Sequence, residues 1–264
     1  MLHNQGVGRP RVHQTLTALA RATGGRIVRG YDGRADILAL WGFGGHEQRE
    51  AFKKHRASGR HVVCLDLGYW DRHAYGVRVT VDSWHPQESD LELTKEPRPG
   101  YVVPGYDENF YNPQGHIVLC GIGKKSRRLL GFNGMQWEHE QLRILREIYP
   151  ERRIVYRPKP GNEEAMPGAG NGSSGSIIDC LRGASMAICL HSNVAIDCAL
   201  LGIPCVSYDG IGQHGFRGAT PAAPIRLTGA ARARFLNSVA WFNWQAAEFS
   251  EMVKFIEKII EAKK

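Results

Sequence analysis

The chain has 264 residues, of which 42% are hydrophobic and 23% charged; this is near the globular average and outside the range of intrinsic disorder. At roughly 100–200 residues per domain, that length holds one large domain or two small ones. Thirty-four Lys and Arg against 26 Asp and Glu give a formal charge of +8, read either as a surface charge for solubility or as the mark of a polyanionic partner, a phosphorylated ligand or nucleic acid.

In chain order, Val12–Thr23 carries Leu16, Leu19 and Ala20 at helical spacing and stops at Gly24-Gly25. Arg26–Val28 and Asp36–Trp41 read as short apolar strands, with Gly30 and Gly33 marking the turn between them. The turn Gly42-Phe43-Gly44-Gly45 opens a polar helix over His46–Ala57, and Arg60–Leu67 is a further buried strand. Val77, Val79 and Val81 alternate as one face of a strand over Gly76–Val81. Helix and short strand in alternation predict a parallel sheet covered by helices. Gln87–Gln114 then holds Pro97, Pro99, Pro104 and Pro113 among few aliphatics. It reads as a linker or irregular excursion, so domains are expected over 1–114 and 115–264.

A second alternating unit follows: strand Gly115–Cys120, helix Trp137–Tyr149, strand Arg153–Tyr156, helix Ser176–Gly183, strand Ala184–Leu190, helix Asn193–Leu201 and strand Cys205–Tyr208. The glycine-rich stretch Gly161–Gly175 is expected as a mobile loop near the same sheet edge. Glu251–Lys264 closes the chain as an amphipathic helix, with Met252, Phe255, Ile256, Ile259 and Ile260 on one face. The fold class predicted is α/β: two Rossmann-like domains with a cleft between them and a C-terminal amphipathic helix.

No apolar run reaches the roughly 18–20 residues of a membrane span, and Met1–Arg11 lacks the apolar core of a secretory signal. The six cysteines, Cys64, Cys120, Cys180, Cys189, Cys198 and Cys205, are scattered without a CxxC pair. They predict reduced, buried thiols in a cytoplasmic protein rather than a disulfide framework or a zinc site.

Leu190-His191-Ser192-Asn193 ends a buried strand, and Ser192 or Asn193 caps the helix that follows. Unbonded backbone N–H groups and the positive end of a helix dipole suit a phosphate there. Asp197 lies one turn on, within reach of ribose hydroxyls, or serves as a solvated first-turn acid. The whole segment Ser192-Asn193-Val194-Ala195-Ile196-Asp197-Cys198-Ala199-Leu200-Leu201-Gly202-Ile203-Pro204 resembles the nucleotide-sugar-binding segment of glycosyltransferases of the two-domain GT-B type. Sugar-nucleotide epimerases of that fold have a similar segment. In the glycosyltransferases an acid in this helix holds the donor ribose, a role the resemblance gives to Asp197, although Asp stands here where Glu is more usual. The likeness covers about Gly115–Gly210 and is only topological before that.

Other strand ends agree. Tyr156-Arg157-Pro158-Lys159-Pro160 resembles the Arg-Pro-His-Pro element of capsule-type glycosyltransferases, with Lys159 in place of His. Arg157 can clasp a phosphate with two prongs and Lys159 can act as a point charge; a surface basic pair is the plainer alternative. Gly121-Ile122-Gly123-Lys124-Lys125-Ser126 is neither a Walker loop nor a full dinucleotide fingerprint. A Gly-rich turn with lysines can still cradle a diphosphate, which makes Gly121, Gly123 and Lys124 candidates. In Tyr208-Asp209-Gly210 and Gln213-His214, the resemblance gives Asp209 and Gln213 to the hydroxyls of the donor sugar, and a turn-forming Asp-Gly is the alternative.

Sugar transfer with inversion needs a base on the acceptor hydroxyl. Asp71 is the first candidate, Asp66 the second, and His46 and His85 follow. Tyr69, Trp70 and Trp84 are candidates to stack on a base or sugar, or else pack in the core. No acidic pair reads as a metal site, and no cofactor is expected, the nucleotide sugar being a substrate. The resemblance thus implies sugar transfer from a nucleotide-sugar donor to a hydroxyl, and the short length, basic charge and aromatic clusters make a hydroxymethylated base in DNA the first acceptor. That reading makes DNA a partner and locates the protein in a host cytoplasm if the chain is phage-encoded. A capsule or lipopolysaccharide glycan is the rival acceptor, and a non-catalytic nucleotide or nucleic-acid binding module the rival class.

Overall fold

The computed structural model describes residues 2–3, 10–70, 76–105, 110–162 and 164–264. The chain divides into two compact units, one made of Met1–Tyr101 with Asn237–Lys264 and the other of Val102–Leu236.

The first unit begins with β1 (Leu2–His3), α1 (Pro10–Thr23), β2 (Ile27–Val28), β3 (Ile37–Trp41), α2 (His46–Ala57), β4 (His61–Leu67), β5 (Val77–Val81) and α3 (Glu88–Glu92). β1 lies between β2 and β3, parallel to both. β3 is parallel to β4 with Leu38 opposite Val62, and the apolar residues of this pair pack with Ala51 of α2. β5 departs from the expected parallel order. It runs antiparallel to β4, with Val63 opposite Val81. Only residues 68–76 join the two strands, fewer than the dozen or so a parallel crossover needs. The valine alternation thus marked the strand but carried no direction.

The second unit contains β6 (His116–Cys120), α4 (Lys124–Leu129), α5 (Gln136–Ile148), β7 (Ile154–Arg157), β8 (Gly170–Asn171), α6 (Ile177–Leu181), β9 (Ala184–Cys189), α7 (Val194–Leu201), β10 (Cys205–Ser207), α8 (Ile211–Gly215) and most of α9 (Gly229–Trp241). Its five strands are ordered β10-β9-β6-β7-β8 and all pair in parallel. Ile117, Leu119, Ile154, Met186, Ile188 and Val206 from the strands form one core with Trp137, Leu142 and Leu145 of α5. The glycine-rich stretch expected as a mobile loop carries β8, because Gly170 and Asn171 pair with Val155 and Tyr156.

The C-terminal segment returns to the first unit. β11 (Asn243–Trp244) adds antiparallel to β5, and α10 (Phe249–Glu261) packs against α1 and β5. The apolar face read from the sequence is the buried one: Met252, Phe255, Ile256, Ile259 and Ile260, joined by Phe249. This segment therefore lies with the first unit, not with the second as the division 1–114 and 115–264 had it, and the break falls at 101/102. The reason lies in the supposed linker. Buried Arg98 donates to the Ala240 carbonyl at 3.0 Å and the Asn243 carbonyl at 2.7 Å, and pairs with Glu248 at 2.6 Å. Its guanidinium also sits 3.9 Å from the Tyr101 ring centre and 4.2 Å from that of Trp244. Lys263 adds an ion pair to buried Asp90 at 2.8 Å. Among the described residues, no helix is long and apolar enough to cross a membrane. All six cysteines are free thiols, five of them buried and Cys180 half-buried.

Candidate functional site

In the second sheet β6 has β7 on one side and β9 on the other, so the connections from the carboxyl ends of β6 and β9 diverge. A crevice at such a reversal of strand order is where open α/β sheets bind ligands. Four strand-end connections share this edge: Gly121–Gly123 after β6, Pro158–Pro160 after β7, Leu190–Asn193 after β9 and Tyr208–Gly210 after β10. The second-unit candidates, from Gly121 to Gln213, lie on these connections or the helices they open, apart from Arg157, which is the last residue of β7.

The β6 turn is shaped by close approach. A Cβ on Gly121 would stand 2.3 Å from the Tyr156 hydroxyl oxygen, so no larger residue fits without displacing that ring. The Gly121 N–H donates to the Arg157 carbonyl at 2.8 Å, continuing the β6–β7 ladder by one step. The Lys159 stem lies against Gly123, its Cγ 3.5 Å from where a Cβ would be. Lys124, Lys125 and Lys159 are exposed. Lys124 and Lys125 open α4, a helix not anticipated from the sequence because its one turn and a half has no apolar periodicity. Tyr156 is buried beneath this turn, and burial pushes its hydroxyl up to about 12.

After β9, Ser192 rather than Asn193 does the capping: its Oγ accepts from the Val194 N–H at 3.3 Å, while Asn193 makes no side-chain cap bond. All eight residues of α7 are buried, and the helix ends on Gly202 at φ 66°, a left-handed turn suited to glycine. Asp197 is therefore 9% exposed rather than a solvated acid. His191 Nε2 lies 3.1 Å from the Ser126 Oγ and links the β9 connection to α4. Ser126 ends the Gly121–Ser126 stretch read from the sequence as a diphosphate turn, but His191 was not a candidate, since nothing in the pattern signals a contact between segments 65 residues apart. After β10, the Asp209 N–H donates to the Leu190 carbonyl at 2.7 Å, and its Oδ1 accepts from the Gly210 N–H at 2.6 Å. The local turn read from Asp-Gly is thus present. Gln213 is exposed on α8.

Arg157 differs from expectation. Its guanidinium donates to the Gly172 carbonyl, to the Ser174 carbonyl at 3.1 Å and to the Gly175 carbonyl at 2.9 Å. It clamps the segment after β8 through its two Nη atoms.

In the first unit, the order β11-β5-β4-β3-β1-β2 reverses between β1 and β3, which sets the Gly42–Gly45 turn at the corresponding edge. There Phe43 meets Phe52 edge-on at 4.9 Å and Trp84 at 5.5 Å, and Trp84 stacks on His85 at 5.8 Å. The candidates Trp84 and His85 thus come together with Phe43, while His46 is exposed. Asp71 lies outside the described residues. Asp66 pairs with buried Arg78 at 3.0 Å, and its other oxygen accepts from the Leu67 N–H at 2.8 Å. Tyr69 and Trp70 are core residues, 1% and 5% exposed, and Trp70 donates to the Tyr101 hydroxyl. Their faces are packed rather than offered to a ligand. Among the described residues no three His, Cys, Asp or Glu side chains are gathered to hold a metal ion.

No protein-family model and no curated protein matches the sequence. Solved structures do match in fold. The Thermosulfurimonas dismutans KpsC beta Kdo 2,7 transferase aligns over 95% of this chain and 98% of its own, with a TM-score of 0.53 at 15% identity. The beta Kdo 2,4 transferase of the same KpsC aligns over 92% of this chain and 91% of its own, with a TM-score of 0.54 at 15% identity. At that identity the likeness establishes a shared GT-B-type fold, and it extends beyond the Gly115–Gly210 region that carried the resemblance in sequence.

Proposed function

We propose that the chain is a glycosyltransferase that moves a sugar from a nucleotide-activated donor to a hydroxyl acceptor. The observation that carries this reading is the convergence of four strand-end connections on one edge of an all-parallel sheet, at the point where strand order reverses. Gly121, Gly123, Lys124 and Lys159 on one side, with Ser192 and Asn193 on the other, supply backbone N–H groups and cationic side chains suited to a diphosphate or phosphodiester. Such groups stabilise the negative charge that develops on the departing nucleotide. Asp197 is read as the ribose-side acid, and Asp209 and Gln213 as partners for sugar hydroxyls. Arg157 acts at one remove, holding the Gly172–Gly175 segment. The first unit is read as the acceptor side, with Asp71 as base and the Phe43, Trp84 and His85 cluster as an apolar platform.

A glycan hydroxyl is the preferred acceptor, and an acidic sugar of the Kdo kind the preferred donor group. Support comes from the names of the two structural neighbours, both Kdo transferases that this chain matches over nearly its full length. A hydroxymethylated base in DNA stands as a second reading, favoured only by the formal charge of +8. The experiment is a transfer assay over a panel of nucleotide sugars, CMP-Kdo included, with glycan and DNA acceptors. Acceptor-dependent nucleotide release is expected; a folded protein that neither binds nor turns over any nucleotide sugar overturns the reading. Salt separates the acceptors. DNA bound through about four to six phosphate contacts gives a slope of log K against log salt of roughly −4 to −5, and a neutral glycan gives almost none.

A further inference from the structure

Beneath the β6 turn lies a buried polar cluster with no part in the reading above. Glu138, on the first turn of α5, is fully buried. Its Oε1 accepts from the Ile122 N–H at 3.0 Å and from Arg127 Nε at 3.1 Å and Nη2 at 2.6 Å. Arg127, 4% exposed, reaches on to Glu164 through Nη1. Buried Asn162 donates to the Ile122 carbonyl at 3.5 Å and to Glu164 at 3.4 Å, and its own N–H bonds the Lys159 carbonyl at 2.9 Å. Both sides of the Ile122 residue are therefore held by side chains from outside the turn. The same cluster reaches the loop that carries Lys159.

Stability alone does not account for this arrangement. A buried ion pair is often replaceable by apolar residues of similar volume without loss of stability, because desolvation offsets the attraction. Here Glu138 Oε2 and Asn162 Oδ1 are buried without a hydrogen-bond partner among the described residues, an added penalty that a well-packed apolar cluster would avoid. What the cluster achieves is geometric. It fixes the two peptides that flank Ile122 in a turn that glycine would otherwise leave adaptable, and the Lys159 stem lies against Gly123 in the same turn.

We propose that Glu138, acting with Arg127, Asn162 and Glu164, is a positioning residue that holds the Gly121–Gly123 turn and Lys159 in register for the phosphates of the donor. Glu138 touches no donor atom and acts through the Ile122 amide. The proposal rests on the nucleotide-sugar reading, and the experiment separates the two.

The test compares wild type, Glu138→Gln and the double variant Glu138→Leu with Arg127→Met. Thermal midpoint, affinity for UDP, CMP and CMP-Kdo, and backbone amide exchange at residues 121–126 are measured. The double variant is expected to fold with a midpoint near that of wild type, to exchange these amides at least tenfold faster and to bind nucleotide at least tenfold more weakly. Glu138→Gln, which can still accept from Ile122, is expected to show the same two effects at smaller size. A folded double variant with wild-type affinity and wild-type exchange overturns the proposal. If the double variant does not fold, Glu138→Gln decides by the same two readouts. If wild type binds none of the nucleotides, the functional reading falls. Exchange at 121–126 then judges the positioning role alone: faster exchange upholds the grip on the turn, and unchanged exchange refutes it.

Discussion

His191 Nε2 and Ser126 Oγ meet at 3.1 Å and tie the connection after β9 to the helix after β6, across the reversal of strand order in the second sheet. Two loops that diverge from neighbouring strands are thereby held at a fixed separation. A double-mutant cycle on Ser126→Ala and His191→Phe should report a coupling of about 0.5–1.5 kcal/mol in stability, the usual worth of one neutral hydrogen bond. Additive effects of the two substitutions would show that the contact contributes nothing.

Gly121→Ala should destabilise the second unit by about 1–3 kcal/mol, the range for forcing an extra methyl into a filled site, because its Cβ would stand 2.3 Å from the Tyr156 hydroxyl. Tyr156→Phe in the same chain should recover part of the loss. Recovery stays incomplete because the ring carbon Cζ would still lie 2.9 Å away. Equal denaturation midpoints for the single and double variants would contradict the steric account.

Burial, with the neighbouring Arg60 charge second, holds the His55 imidazole below its ordinary value of 6.5. Its Nδ1 sits 3.2 Å from the Tyr31 hydroxyl. Below pH 6.5 the unfolded chain takes up a proton that the folded chain refuses, so stability must fall as pH drops from 6.5 toward the depressed folded value. Urea denaturation between pH 7.5 and 5 should show this decline, and His55→Leu should flatten it relative to wild type. An unchanged slope would assign the decline to other groups.

Much of this architecture is legible in the sequence, for physical reasons that also explain the gaps. α1, α5 and α10 announce themselves by apolar spacing, α2 by the glycine turn that opens a polar helix, and Gly202-x-Pro204 stops α7 where the sequence says. The direction of β5 was not legible, since alternation is the same in either sense. Nor was the return of β11 and α10 to the first unit, because it depends on Arg98 binding carbonyls more than 140 positions away. At the site, the strand-end residues could be read because glycine, lysine and capping side chains have local signatures. Glu138 and Arg127 could not: each looks like a surface charge on a polar helix, and only the fold buries them. The grip of Arg157 on the Gly172, Ser174 and Gly175 carbonyls was not legible either, because those carbonyls lie beyond any sequence motif.

The two acidic candidates for the base should separate cleanly. Asp71→Asn should leave nucleotide affinity intact and lower the rate by roughly 100- to 10,000-fold, the span of general base catalysis. Asp66→Asn should act on stability instead, by about 1.5–3 kcal/mol, through loss of its charged bond to buried Arg78. The opposite pattern, a rate loss at Asp66 with Asp71 silent, would exchange the roles.

The most direct measurement is amide exchange of the whole chain with and without a saturating nucleotide from the UDP and CMP panel. The account predicts slowed exchange concentrated at residues 121–126 and 190–194, and Lys159→Ala should weaken binding about tenfold, the loss of one charged contact. Binding that protects neither segment, or no binding of any nucleotide by the folded protein, would contradict the claim that this sheet edge is the donor site.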